Sequence, residues 1–272
     1  MGKSVLFLSD LGLRDEFVGV CHSVIERIAP GTTVIDLSHG VAPQDVQLGA
    51  LILRESVPYS PDHAVFLGVV DPGVGTDRKG VVVETESGRV LVGPDNGLLS
   101  LAWEAAGGAS RAYEIASDEV VLTPVSNVFH GRDVFAPAAA HVAAGMPPEK
   151  MGPELDPASL QAVSLPVPEV LPGEIHCQVL DVDRFGNLRL NVRPADVERA
   201  GLAEQGAIKV ATTASSTLAR RVSTYGEVGP GDYAAIEDAW GWVAVIRFEA
   251  SAAADLVARS GDPVWLLAVD GA

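Results

Sequence analysis

Near its start the chain alternates short runs rich in Val, Ile and Leu with stretches in which apolar residues recur every three to four positions. The runs are SVLFLSD, TTVIDLS and HAVFLGVVD, and the periodic stretches between them are DEFVGVCHSVIERIAPG and PQDVQLGALILRES. Unbroken Val, Ile and Leu runs suit strands buried on both faces, and amphipathic helices between them supply the cover. The pattern therefore predicts a βαβαβ unit on a mainly parallel sheet. GVVVETES and RVLVGPD follow, joined through Ser87 and Gly88, and predict a hairpin added to that sheet. NGLLSLAWEAAGG and GRDVFAPAAAHVAAG each read as a helix stopped by glycine.

Between about Met146 and Gly173 the periodicity gives way to MPPEKMGPELDPASLQAVSLPVPEVLPG, whose prolines interrupt helix and ladder hydrogen bonding alike. A linker over residues 146–173 is expected to join a first domain, 1–160, to a second, 161–272. In the second, EIHCQVLDVD, LRLNVR, AIKVATTAS, ARRVSTYGEV, YAAIED, GWVAVIRF and DPVWLLAV predict short strands, with one helix at SAAADLVARSG. The fold class expected is α/β: an N-terminal, mainly parallel α/β sandwich domain followed by a small antiparallel β-barrel domain.

Composition acts mainly by exclusion. Thirty-six acidic against 19 basic residues give a formal charge of -17, which disfavours a nucleic-acid partner, because such binding depends on Lys and Arg neutralising phosphates. A neutral or cationic small ligand fits better. Cys21 and Cys177 stand far apart without CxxC or Cys/His spacing, so neither a disulfide framework nor a structural zinc site is expected. The N-terminal VLFL run is too short for a signal peptide, MGKSVL lacks the sixth-position Ser or Thr of a myristoylation signal, and no stretch approaches the roughly 20 apolar residues of a membrane span. These observations predict a soluble, cytoplasmic protein without a membrane partner.

Candidate chemistry begins at strand ends. Asp10 ends the first apolar run and Asp71 the third, and in open α/β sheets ligands collect at the carboxyl ends of strands. After Asp71, the segment DPGVGTDRKG permits tight turns, yet its glycines match neither G-x-G-x-x-G nor a phosphate loop. It is instead a turn able to return Arg78 toward Asp71. His130 stands before a predicted helix, whose N-terminus disfavours a protonated imidazole, while the adjoining Arg132 and Asp133 admit reading as a surface ion pair. A metal site from Asp71, His130 and Asp133 is a further reading, without HxH or HExxH spacing to support it. Asn96, in GPDNGLL, is accounted for by turn chemistry. In the second domain DVDRFGNLRLN sets Phe185 and Asn187 beside Asp183, an aromatic and an amide suited to a flat heterocycle.

Taken together, SDLGLRDEFVG, DPGVG, GPDNGLL, FHGRDVFAP and DRFGN, in this order over nearly the whole chain, closely resemble the S-adenosylmethionine hydroxide adenosyltransferase family. These are adenosine-forming S-adenosylmethionine hydrolases related to fluorinase and chlorinase. The resemblance implies hydrolysis of S-adenosyl-L-methionine at C5′ to adenosine and L-methionine, with Asp71, Arg78 and His130 as the water-activating triad. It implies Asp10 on the ribose hydroxyls, Asn187 with Phe185 on adenine, and Asp183 near the methionine amino group. It further implies homotrimers with active sites between subunits, and no cofactor. The leaving group is a neutral thioether, so the chemistry requires neither metal nor general acid. The chain carries Leu11 and Phe17 where the family commonly has Phe and Tyr, and Ala239 where Ser is more frequent. The halogenases lack the Arg and His corresponding to Arg78 and His130, so water rather than halide is the expected nucleophile. Other readings are a nonenzymatic sensor of S-adenosylmethionine or adenosine, an S-adenosylmethionine-dependent halogenase, and a metal-dependent hydrolase.

Overall fold

The structure, a computed structural model, describes residues 3–269. Contacts divide the chain into two compact units between Ser164 and Leu165. The first contains β1 (Val5–Ser9), α1 (Phe17–Ile28), β2 (Val34–Ser38), α2 (Val46–Ser56), β3 (Val65–Val69), β4 (Gly80–Thr85), β5 (Val90–Pro94), α3 (Ser100–Ala105), β6 (Ala109–Glu114), α4 (Ala136–Ala143) and β7 (Glu154–Leu155). Its sheet has the order β2-β1-β3-β5-β4-β6-β7. The first four are parallel neighbours, and β4 and β5 form the expected antiparallel hairpin.

Strand periodicity explains the apolar runs. Phe7, with Val65, Leu67 and Val69, faces a core completed by Val18, Cys21 and Ile25 of α1 and the alanines of α4. Leu6, Leu8 and Phe66 face the opposite side, against Leu53 of α2 and Ala102 of α3. Alternate side chains thus leave on opposite faces, and both faces are covered, so no polar position interrupts the run. The chain runs from β1 to β2 on one side, then returns across β1 to place β3 on the other. Such a reversal opens a crevice between the carboxyl ends of β1 and β3.

The proline-rich stretch up to Ser164 packs with this first unit. Met151 is fully buried in its core, and Glu154–Leu155 pairs with β6. Prolines there start 3₁₀ turns at Pro148–Lys150 and Pro157–Ser159.

The second unit contains β8 (Glu169–Leu171), β9 (Glu174–Val182), β10 (Leu188–Leu190), α5 (Pro194–Arg199), β11 (Ala207–Ala211), β12 (Ser216–Arg221), β13 (Tyr233–Glu237), β14 (Val243–Arg247), α6 (Ala252–Leu256) and β15 (Pro263–Leu267). Pairing of β9 with both β10 and β15 closes seven strands into a barrel, in the circular order β9-β10-β14-β13-β12-β11-β15, with β8 appended to β9. The barrel is antiparallel except at one place: β12 and β13 run parallel. Its interior holds Val179, Leu188, Val210, Ala219, Val245 and Leu266. No described helix is long and apolar enough to cross a membrane.

Candidate active site

The crevice of the first unit is built by loops following β1 and β3. Ser9 is register-paired with Val69, so Asp10 and Asp71 leave neighbouring strand ends. Both line one cleft of about 370 Å³ with Phe17, Gln44, Phe129 and His130. The loop after Asp71 turns tightly, with the Val74 N–H donating to the Asp71 carbonyl and the Thr76 N–H to that of Gly73. Gly75 adopts a left-handed φ of 77°, and a Cβ there would collide with the carbonyl oxygen of Asn127. Only glycine permits both the turn and this approach. The loop thereby lies against the segment that carries His130.

Arg78 returns to Asp71 as the spacing predicts. Its Nε donates to Asp71 Oδ1 at 3.0 Å and its Nη2 to Oδ2 at 2.5 Å, a two-point contact between side chains only 9% and 7% exposed. Nη2 also lies 3.0 Å from His130 Nδ1. A guanidinium has no lone pair to offer, so Nδ1 is the acceptor and a neutral His130 carries its proton on Nε2. Phe135, fully buried, lies beneath the guanidinium with its ring centroid 5.1 Å from Cζ. Burial, and after it the Arg78 charge, pushes the His130 imidazole below its ordinary value of 6.5, against the opposing pull of Asp71 and Asp133. The three predicted residues are thus one hydrogen-bonded unit: carboxylate, guanidinium, neutral imidazole.

His130 leads into a π-helical turn, Gly131–Phe135, that continues as α4. Asp133 in that turn is 1% exposed rather than part of a surface pair. It accepts the Ser126 N–H at 2.8 Å and Nε and Nη2 of Arg132 at 2.6 and 2.7 Å. Burial alone would raise the Asp133 carboxyl; these hydrogen bonds outweigh it and hold the group below its ordinary value. Asp133 is thus paired with Arg132, and Asp71 with Arg78. Asp71, His130 and Asp133 do not form a cluster of converging ligand atoms among the described residues.

Asp10 Oδ2 accepts the Gln44 N–H at 2.8 Å, and Oδ1 has no donor among the described residues. Gln44 holds a left-handed φ of 68°, an uncommon state for a residue with a side chain. Phe17 and Phe129 form an edge-to-face pair, centroids 5.3 Å apart, as the apolar wall. Gln44 and Phe129 are functional candidates that residue type and spacing do not single out. Asn96 bridges the Val70 carbonyl and the Leu98 N–H, fixing the exit from β3 by turn chemistry.

In the second unit Phe185 and Asn187 line a separate cavity of about 620 Å³ with Tyr225 and Phe248. Asp183 does not line it. Its carboxylate accepts the N–H groups of Phe185 and Asn187 and the Asn187 side-chain amide, all at 2.8–2.9 Å, and so shapes the turn that presents both. Ala239 is exposed in the turn after β13, where Asp238 accepts the Trp240 and Trp242 N–H groups.

Residues 5–152 match the family described as the SAM hydroxide adenosyltransferase N-terminal domain, and residues 177–265 the corresponding C-terminal domain. The chain is 42% identical over 259 residues to an (R)-S-adenosyl-L-methionine hydrolase from Salinispora tropica, covering 93% of each. It is 41% identical over 273 residues to a protein of the same name from Thermus thermophilus, covering 97% of this chain and all of the other. A crystal structure of an uncharacterized conserved protein from Thermotoga maritima superposes with a TM-score of 0.89 at 32% identity, over 97% of this chain and 99% of that one.

Proposed function

The chain belongs to the SAM hydroxide adenosyltransferase family, and from that premise we propose that it hydrolyses S-adenosyl-L-methionine to adenosine and L-methionine. The observation that carries the reading is the Asp71–Arg78–His130 unit at the wall of a cleft shared with Asp10. Water attacks C5′ of the substrate, the C5′–S bond breaks, and its electron pair returns to sulfur, which leaves as a neutral thioether. One proton must be removed from the water. His130 Nδ1 is occupied by Arg78, so its Nε2–H is a donor that can orient the water oxygen. Each Asp71 oxygen receives one Arg78 hydrogen bond and keeps further lone pairs, so Asp71 is the proton acceptor. Arg78 makes no hydrogen bond from Nη1 to a described residue and offers positive charge to the developing hydroxide. Attack by hydroxide on a sulfonium cancels charge, a change that a dry, aromatic-walled cleft favours.

In this reading Asp10 holds the ribose hydroxyls through the oxygen that Gln44 leaves free, and Phe185 with Asn187 holds adenine. Asp183 attracts the methionine ammonium. The reading includes a homotrimer with adenosine bound between the α/β domain of one subunit and the barrel of its neighbour, supported by the division of ligand-facing groups between two cavities. Cytoplasmic residence belongs to it as well, supported by two buried, unpaired cysteines. No cofactor is required, because neither the leaving group nor the nucleophile demands one.

The test is incubation with S-adenosyl-L-methionine in oxygen-18 water. We expect adenosine labelled in its 5′-hydroxyl together with unlabelled methionine, and a loss of about 100-fold or more in turnover for Arg78→Ala with adenosine affinity nearly unchanged. Absence of product would show a binder rather than an enzyme, and a halogenated nucleoside formed in preference to adenosine would show a different nucleophile.

A further inference from the structure

On the α1 side of the first unit, His22, Asp36 and His39 bring two imidazoles and a carboxylate together, with one ligand atom from each within 4.8 Å of the others. His22 stands on α1, Asp36 on β2, and His39 just after β2. Asp36 Oδ1 lies 2.8 Å from His22 Nε2 and 3.1 Å from His39 Nε2. His39 is the informative member. Its side chain is only 2% exposed, Phe7 packs edge-on against it, and Nδ1 is fixed by Ser9 Oγ at 2.7 Å. That leaves Nε2 buried, aimed at the cluster, and without an aligned hydrogen-bond partner despite its closeness to Asp36. A buried polar atom in that state is costly and calls for an occupant.

We propose that His22, Asp36 and His39 form a binding site for a divalent metal ion of borderline softness, such as Zn²⁺. Two neutral imidazoles and one carboxylate are a donor set for such ions, with a fourth position left to water. In tetrahedral zinc geometry, ligand bonds near 2.0–2.1 Å separate neighbouring donor atoms by about 3.3 Å. The two imidazole–carboxylate separations, 2.8 and 3.1 Å, need only open slightly, and the two imidazole donors lie within 4.8 Å of each other. Ser9 is the outer-shell partner that a ligating histidine ordinarily has: it accepts Nδ1–H and so leaves the Nε2 lone pair for the metal. Because a hydroxyl can donate or accept, Ser9 suits the free and the loaded tautomer alike. His22 also borders a surface groove of about 540 Å³ with Glu26, Arg27 and Thr32. The site is separate from the Asp71–Arg78–His130 unit, uses none of its residues, and does not depend on the proposed reaction.

Calorimetric titration of the full chain with zinc chloride, in a buffer that does not chelate, tests the proposal. One ion per chain is expected to bind with micromolar or tighter affinity, and to raise the thermal midpoint. His22→Ala and Asp36→Asn, changes at partly exposed positions, should each weaken binding at least tenfold and abolish the thermal gain. Ser9→Ala should weaken it about 10- to 100-fold, the usual effect of an outer-shell loss. His176→Ala, in the other unit, should change nothing. Cobalt bound in place of zinc should show the visible absorption of a four- or five-coordinate ion in the wild type and lose it in His22→Ala. Failure to bind zinc below millimolar concentration, or equal affinity in the wild type, His22→Ala and Asp36→Asn, would leave the cluster a hydrogen-bonded crosslink and overturn the proposal.

Discussion

The hydrogen bond from Arg78 to His130 Nδ1 requires an imidazole without a proton on that nitrogen, and the environment supplies one. Burial first, and the Arg78 charge second, lowers the His130 pKa. The neutral form therefore persists below the ordinary value of 6.5. Turnover should hold as pH falls through that value and decline only as the lowered one is reached. The stability consequence has the same sense: the unfolded chain binds the proton first, so stability is complete above 6.5 and is lost as pH falls from there toward the lowered value. Histidine resonances followed by NMR should show His130 titrating below the free residue, and Arg78→Gln should move it upward by removing one of its two causes. A wild-type His130 titrating at or above the free value would contradict this account. Asp71, Arg78 and His130 are legible in sequence because residue type, a strand end and a turn suffice to nominate them. Gln44 is not, since its contribution is a backbone N–H directed at Asp10 by a left-handed conformation, which a side-chain inventory does not contain.

At the scale of elements, the loop of residues 71–78 and the turn preceding α4 act as one piece, because Gly75 lies against the Asn127 carbonyl. Gly75→Ala should impose left-handed strain and a backbone collision together, at a cost of about 1–3 kcal/mol. It should also displace Arg78 from His130, so activity should fall more than stability alone accounts for. Urea unfolding paired with turnover measurements checks both, and a variant with wild-type values in each would show that the approach is dispensable. β1 and β3 are readable because burial on both faces leaves an uninterrupted apolar run, whereas β2, at the sheet edge, exposes Ile35 and Asp36 and shows only through its Val, Ile and Leu content. β6 is not readable, because ASRAYE places Ser110 and Arg111 at exposed positions and so offers no apolar run. α5 is not legible for a related reason: of its six residues only Val197 is buried, which leaves no apolar periodicity. The Arg132–Asp133 pair is legible as a pair but not in its depth: Asp133 is 1% exposed and also accepts the Ser126 N–H, a backbone contact that residue type does not announce.

For the whole molecule, the sequence displays two folding units because the periodicity changes from helical to strand-like across a proline-rich stretch. It does not display where that stretch belongs: Met151 decides this by filling the first core, and one buried methionine among prolines carries no such signal. The ligand-facing groups proposed here fall in two cavities, one on each unit. In the proposed homotrimer light scattering should report a mass of three chains, and dilution that dissociates the assembly should abolish turnover. A fully active monomer would refute the trimeric reading. The metal cluster is a matter of this scale too, since α1, β2 and the turn after it supply its ligands and no local spacing announces them.

The seven-stranded barrel carries a constraint of parity. Strands that alternate in direction around a ring can close only if their number is even, as two colours can alternate around a necklace only with an even number of beads. With seven, one pair of neighbours must agree, and here the mismatch is assigned to β12 and β13. A parallel pair cannot be joined by a tight hairpin, so the chain between Arg221 and Tyr233 must travel the length of the barrel. That obligatory passage carries Tyr225 to the wall of the cavity that holds Phe185 and Asn187. No point substitution can remove the mismatch; it can only be moved to another pair, taking its long connection with it. The barrel's arithmetic thus guarantees a length of chain that closure itself does not need, and in this protein that surplus lies at the pocket.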